Sequence, residues 1–181
     1  MDSHRLVTGM KKGPTIEIES LVNAYHAELS RVAFLYLNAP EDVEEAVQNT
    51  FIAAHRSYGQ FRGDAPLRNW LFGILIRECR NVQRKKFSLK RLAEKLSART
   101  QHSPVPTPEE RVAAKDERAS ILRAVSRLED GHRAAVILRY YAELPVSEIA
   151  ETLGIPQGTV HSRLNRARKQ LRDLLAEGNE L

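Results

Sequence analysis

Apolar residues in this chain recur three and four positions apart over most of its length and hardly anywhere alternate. Leu21, Val22, Tyr25, Leu29, Val32, Ala33 and Tyr36 form one such series, and Val43, Ala46, Val47, Phe51, Ala54 and Tyr58 a second. Leu67, Trp70, Leu71, Ile74, Leu75 and Val82 form a third. A period near 3.6 residues puts each series on one face of a helix. A chain without strand-like alternation can bury such faces only by packing helix on helix, so the fold is predicted to be all-α. Asn38 and Ala39 end the first helix, and Pro40 opens the second, where its fixed φ suits a first helical turn.

Punctuation divides the chain further. Gly13-Pro14 closes a loose leader over residues 1–14, and a first helical domain is expected over 15–90. In "SARTQHSPVPTPEER" three prolines lie among Ser, Thr and Gln, which predicts an exposed, flexible linker over 91–108. Thr107, Pro108 and Glu110 read as a capping box that starts a helix reaching about Leu128. "HRAAVILRYYAEL", bracketed by Gly131 and Pro145, supplies another helix, and two shorter ones complete a second domain over 109–176 before a tail at 177–181. With 181 residues, 42% of them hydrophobic, the chain is large enough for two small cores.

Composition then excludes several function classes. A single cysteine, Cys79, rules out an internal disulfide and is expected to be a buried small hydrophobe in a reducing cytoplasm. His26, His55, His102, His132 and His161 show neither metal-ligand spacing nor a paired nucleophile, and His4 lies in the leader, so no metal, cofactor or catalytic residue is expected. No apolar run approaches the ~20 residues of a membrane span, and no membrane insertion is expected. The net charge of +5 favours an anionic partner.

The charge is distributed unevenly. In "VSEIAETLGIPQGTVHSRL", Ala150 permits two helices to cross closely, Gly154 can take the left-handed turn, and Val160 pins the second helix to the first. This is the spacing of a helix-turn-helix. Val160, Leu164, Ala167 and Leu171 share one face of the second helix, which leaves Gly158, Ser162, Asn165, Arg166 and Lys169 on the other. No acidic residue falls between Pro156 and Arg172. Arginine can pair bidentately with guanine and asparagine with adenine, while serine and lysine reach bases or phosphates, so the outer face has the chemistry of a DNA reader.

These residues carry a resemblance. "EIAETLGIPQGTVHSRLNRARKQLR", with "RAAVILRYYAELP" before it, resembles the fourth domain of extracytoplasmic-function sigma factors of the bacterial sigma-70 family. "DVEEAVQNTFIAAH" and "FRGDAPLRNWLFGILIRECRNVQRKK" independently resemble the polymerase-binding helix and promoter-melting segment of the second sigma domain. The resemblance implies a cytoplasmic binding protein, not an enzyme, whose partners are core RNA polymerase, promoter DNA and an anti-sigma factor. It implies that Asp42, Glu45 and Gln48 meet polymerase, and Glu41, Asp42 and Glu45 do form an acidic face suited to a basic partner.

Phe61, Arg62, Gly63, Asp64 and Trp70 match the loop that captures an unstacked base of the downstream promoter element. Trp70 keeps register with core positions, so Phe61 is the expected stacking platform. Arg77, Arg80 and Arg84, on successive turns, suit phosphates. His161, Ser162, Asn165, Arg166 and Lys169 match positions that read the upstream element, with Arg163 and Arg168 expected on phosphate. Arg77 stands where many members carry Asn, Asn49 where Glu is usual and Glu143 where Gly is frequent. The alternative from another class is a free-standing helix-turn-helix regulator whose N-terminal half would dimerise or sense.

Overall fold

The computed structural model describes residues 17–97 and 117–178, and all regular structure among them is helical. Helix α1 spans Ile18–Leu37, α2 Pro40–Ser57 and α3 Leu67–Ser97, with a 3-10 turn at Tyr58–Gln60. The second half contains α4 (Glu117–Ser126), α5 (Asp130–Val136), a π-helical turn at Ile137–Tyr141, α6 (Val146–Leu153) and α7 (Gln157–Gly178). The leader and the Thr107 capping box lie outside the described residues.

Local chemistry accounts for the boundaries. Asn38 takes left-handed φ 56° and donates its N–H to the Phe34 carbonyl, which caps α1. Ala39, held extended before proline, turns the chain into α2, which Pro40 opens. Two features of length differ from the sequence reading. Helix α3 continues through the basic stretch to Ser97, because Lys, Arg, Leu, Ala and Glu there are all good helix formers. The final segment forms one 22-residue helix, α7, where a short one was expected.

Helices α1, α2 and α3 bury Leu29, Val32, Ala33, Tyr36, Val47, Phe51, Phe72, Leu75 and Val82 between them. In the second half, α5, the π-helical turn and α6 share a core with the inner face of α7 in which Leu138, Ile149, Val160, Leu164 and Ala167 are buried. Cys79 is fully buried, as expected, and burial above all pushes its thiol up to about 12.

The two halves also touch. The buried Tyr36 hydroxyl donates to the Asp130 carboxylate, and Arg133 donates to the Tyr36 carbonyl at 3.0 Å. Burial, reinforced by the bond to Asp130, holds the Tyr36 phenol well above its ordinary range. Arg68 bonds Glu28 at 2.8 and 2.5 Å and reaches across to the Ala142 carbonyl at 3.1 Å.

Glu143 is exposed at a left-handed φ of 58°, which accounts for glycine being frequent at the corresponding position of the resembling family. A left-handed backbone costs a side chain about 1–2 kcal/mol, and glycine forfeits about 0.5–1 kcal/mol of chain entropy. Glu143→Gly is therefore expected to stabilise the protein by about 0.5–1 kcal/mol. A urea midpoint that does not rise would contradict this.

Candidate nucleic-acid and protein interfaces

Gly154 ends α6 at φ 63°, and Ile155 returns its N–H to the Ala150 carbonyl at 3.0 Å. This left-handed turn swings the chain into α7. The Pro156 carbonyl then accepts the N–H groups of Thr159 and Val160 at 2.9 and 3.2 Å, so proline is the residue from which the helix starts. Val160, Leu164 and Ala167 are buried, with Leu171 packed against them, so they fix the rotation of α7. That rotation leaves Gly158, His161, Ser162, Asn165, Arg166 and Lys169 exposed on one face.

The remaining arginines are arranged differently. Arg168 donates to the Tyr140 hydroxyl at 2.8 Å and to Asn165 Oδ1 at 3.3 Å, which engages the amide oxygen of Asn165 and leaves its NH2 without a part in that bond. Arg163 is half-buried and lies against Gly131, where a Cβ would come within 3.0 Å of its Cζ. Sequence reading missed Tyr140 and Gly131 as supports, since nothing local marks either as facing α7.

The second surface lies where α3 begins. Phe61 and Trp70 meet at 5.1 Å between ring centroids, and Tyr58 lies 6.0 Å from Phe61 and 6.3 Å from Trp70. Both Phe61 and Trp70 line an open cleft of about 450 Å³. Trp70 is half-buried, packed against the core and also lining the cleft. Arg62, Gly63 and Asp64 are exposed on the loop, with Gly63 at φ 76°. Arg77, its side chain 62% exposed, also lines the cleft.

The other two arginines of the segment part company. Arg84 is exposed and bonds Asn81 at 2.6 Å. Arg80 instead places Nε 2.6 Å from Asp130 Oδ2. Burial opposes its charge, but Tyr36 and Asp130 outweigh that effect and hold the guanidinium above its ordinary value.

The acidic helix differs from expectation in detail. Glu41 and Glu44 are exposed, and Gln48 donates to Glu44 at 3.0 Å. Asp42 and Glu45 turn toward the end of α3, where Lys86 binds Asp42 at 2.6 Å and Lys85 binds Glu45 at 2.7 Å. The Asp42 side chain is only 14% exposed, so it forms the inner edge of the acidic surface.

Among the described residues no group of three His, Cys, Asp or Glu side chains could hold a metal ion, and no helix is long and apolar enough to cross a membrane. His26 stacks on Phe51 at 6.4 Å, and buried His132 meets Gln170 at 3.1 Å.

Residues 21–87 match the family described as Sigma-70 region 2, and residues 118–171 the one described as Sigma-70, region 4. The chain is 30% identical to the ECF RNA polymerase sigma factor SigM of Mycobacterium tuberculosis, over 90% of this chain and 79% of SigM. It is 32% identical to the RNA polymerase sigma factor NccH of Alcaligenes xylosoxydans xylosoxydans, over 91% of this chain and 89% of NccH. Among solved structures, the sigma factor RpoE of Bartonella quintana, in complex with the anti-sigma factor NepR, superposes with a TM-score of 0.67 at 24% identity. That similarity of fold covers 87% of this chain and 96% of RpoE. Two sigma regions in this order, with relatives alike along most of both chains, set the protein apart from free-standing regulators: it belongs to the extracytoplasmic-function group of RNA polymerase sigma factors in the sigma-70 family.

Proposed function

We propose that this sigma factor divides its work among three surfaces. Asp42, Glu45 and Gln48 on α2 dock on core RNA polymerase, with Glu41 and Glu44 extending the acidic face. The Phe61 and Trp70 cleft, edged by Arg62, Gly63, Asp64 and Arg77, receives a base unstacked from the downstream promoter element, and Arg84 holds phosphate. The outer face of α7 reads the upstream element in the major groove through His161, Ser162, Asn165 and Arg166, with Lys169 on the backbone.

The role is binding and positioning in the cytoplasm, with no catalytic residue in the chain. Arg163 and Arg168 act as buttresses, Arg163 packed beside Gly131, and a phosphate contact from Arg168 uses the donors left over from Tyr140 and Asn165. An anti-sigma partner is supported by the structural likeness to RpoE, which was solved with NepR.

The observation that carries this reading is the segregation of α7, whose buried stripe fixes an unbroken polar and basic face toward solvent. Selecting genomic fragments with reconstituted holoenzyme tests it: enrichment of two spaced elements is expected, and enrichment of none would overturn it. Arg166→Ala is expected to cost ~1–3 kcal/mol and to relax preference at one upstream base pair. Lys169→Ala should weaken all sequences evenly and lower the salt slope by about one. Equal losses on every promoter variant for Arg166→Ala would remove its base-reading role.

A further inference from the structure

The π-helical turn at Ile137–Tyr141 stands beside the reading helix and touches it through Tyr140. The Ala142 N–H reaches back five residues to the Ile137 carbonyl at 3.1 Å, and Arg139 Nη1 ties the turn down at the Leu144 carbonyl at 3.0 Å. Turns widened in this way are rare and occur often at functional sites. Ile137 and Leu138 face the core, whereas Tyr140 is 55% exposed. On α7, Asn165 and Arg168 lie three residues apart, each directly after a buried anchor, Leu164 and Ala167. Both therefore sit along one edge of the reading face. Arg168 Nε donates to the Tyr140 hydroxyl at 2.8 Å, and its Nη1 donates to Asn165 Oδ1 at 3.3 Å.

We propose that Tyr140 is a positioning residue for upstream recognition: by holding Arg168 it fixes the orientation of the Asn165 amide, and so sets the base preference at the pair that Asn165 reads. This rests on the outer face of α7 being the upstream reader. A guanidinium has donors and no acceptor, so it can bond the amide through its oxygen alone and selects one of the two flip states. An amide free to turn over offers a base edge either its oxygen or its NH2, and so suits donors and acceptors alike. Asparagine pairs with adenine by accepting from N6 and donating to N7, a match that only one flip state makes. The second lone pair of Oδ1 stays open to that N6 while Arg168 occupies the first. Left to itself, a long arginine side chain samples many rotamers. The phenol, set on a turn anchored in the core, removes that freedom at Nε.

The test uses reconstituted holoenzyme and a promoter set that carries each of the four base pairs at every upstream position. Asn165→Ala marks the pair that Asn165 reads, as the position at which preference is lost. Tyr140→Phe removes the hydroxyl acceptor and keeps the ring. It is expected to lower discrimination at that same pair about threefold to tenfold, the effect of losing one hydrogen bond of modest strength. The thermal midpoint, and the preference at the pair marked by Arg166→Ala, should not change. In the Asn165→Ala background, Tyr140→Phe should lower discrimination no further, because the two residues act in series.

Full discrimination in Tyr140→Phe, beside a loss in Asn165→Ala, overturns the relay alone and leaves the reading face standing. An equal loss on every promoter would make Tyr140 a general support of binding, and a further position-specific loss in the double variant would make it a direct reader of a base. Either result overturns the relay. No position-specific loss in Asn165→Ala removes Asn165 from the reading face, and the relay with it.

Discussion

The Asp42→Lys, Glu45→Lys double variant is expected to lose at least about 100-fold in affinity for core polymerase, since reversing a charge at a desolvated interface costs about 2–5 kcal/mol. The same substitutions set lysines against Lys86 and Lys85, which now bind the two carboxylates at 2.6 and 2.7 Å. Lys85 and Glu45 are 62% and 39% exposed, so reversing that pair should cost no more than about 1 kcal/mol of fold stability, and Asp42, 14% exposed, carries the larger share of any loss. Adding Lys85→Glu and Lys86→Glu restores opposite charge within the protein while leaving the docking face reversed. Recovery of thermal stability without recovery of polymerase binding is the expected result. Recovery of both would place the defect in the fold and remove Asp42 and Glu45 from the interface.

Two phenylalanines eleven positions apart should fail in opposite ways. Phe72 is fully buried, and the Arg68 guanidinium stands 4.9 Å from its ring centroid. Phe72→Ala is expected to cost ~3–5 kcal/mol of stability through the cavity it leaves. Phe61 lies half-buried at the cleft, and Phe61→Ala should cost ~1–3 kcal/mol of single-strand binding while changing stability by less than about 1 kcal/mol. Chemical unfolding followed through Trp70, the one tryptophan of the chain, separates the two. Equal destabilisation by both would make Phe61 a core residue.

What could be read from the sequence is what depends on neighbours within a helical turn. The buried stripes of α1, α2 and α7 follow from periodicity, and the turns at Asn38 and Gly154 from residue chemistry. Partners distant in the chain could not be read this way. Asp42 meets a lysine 44 positions on, and Arg80 an aspartate 50 positions on. Periodicity says which face a long charged side chain leaves, but only packing says what it reaches. Hence Arg77, Arg80 and Arg84, alike in sequence, divide into an open cleft wall, a domain contact and an exposed cation. The Arg168 contact with Tyr140 was hidden for the same reason.

The buried thiol of Cys79 has a practical corollary. It is the chain's only sulfhydryl, and a group fully enclosed and held protonated to about 12 presents almost no thiolate to a maleimide at neutral pH. A cysteine placed at any exposed position is then the sole attachment point for a dye or spin label in the otherwise native protein. Labels at one site in each half would report, molecule by molecule, how the two promoter-reading domains separate as polymerase and DNA arrive.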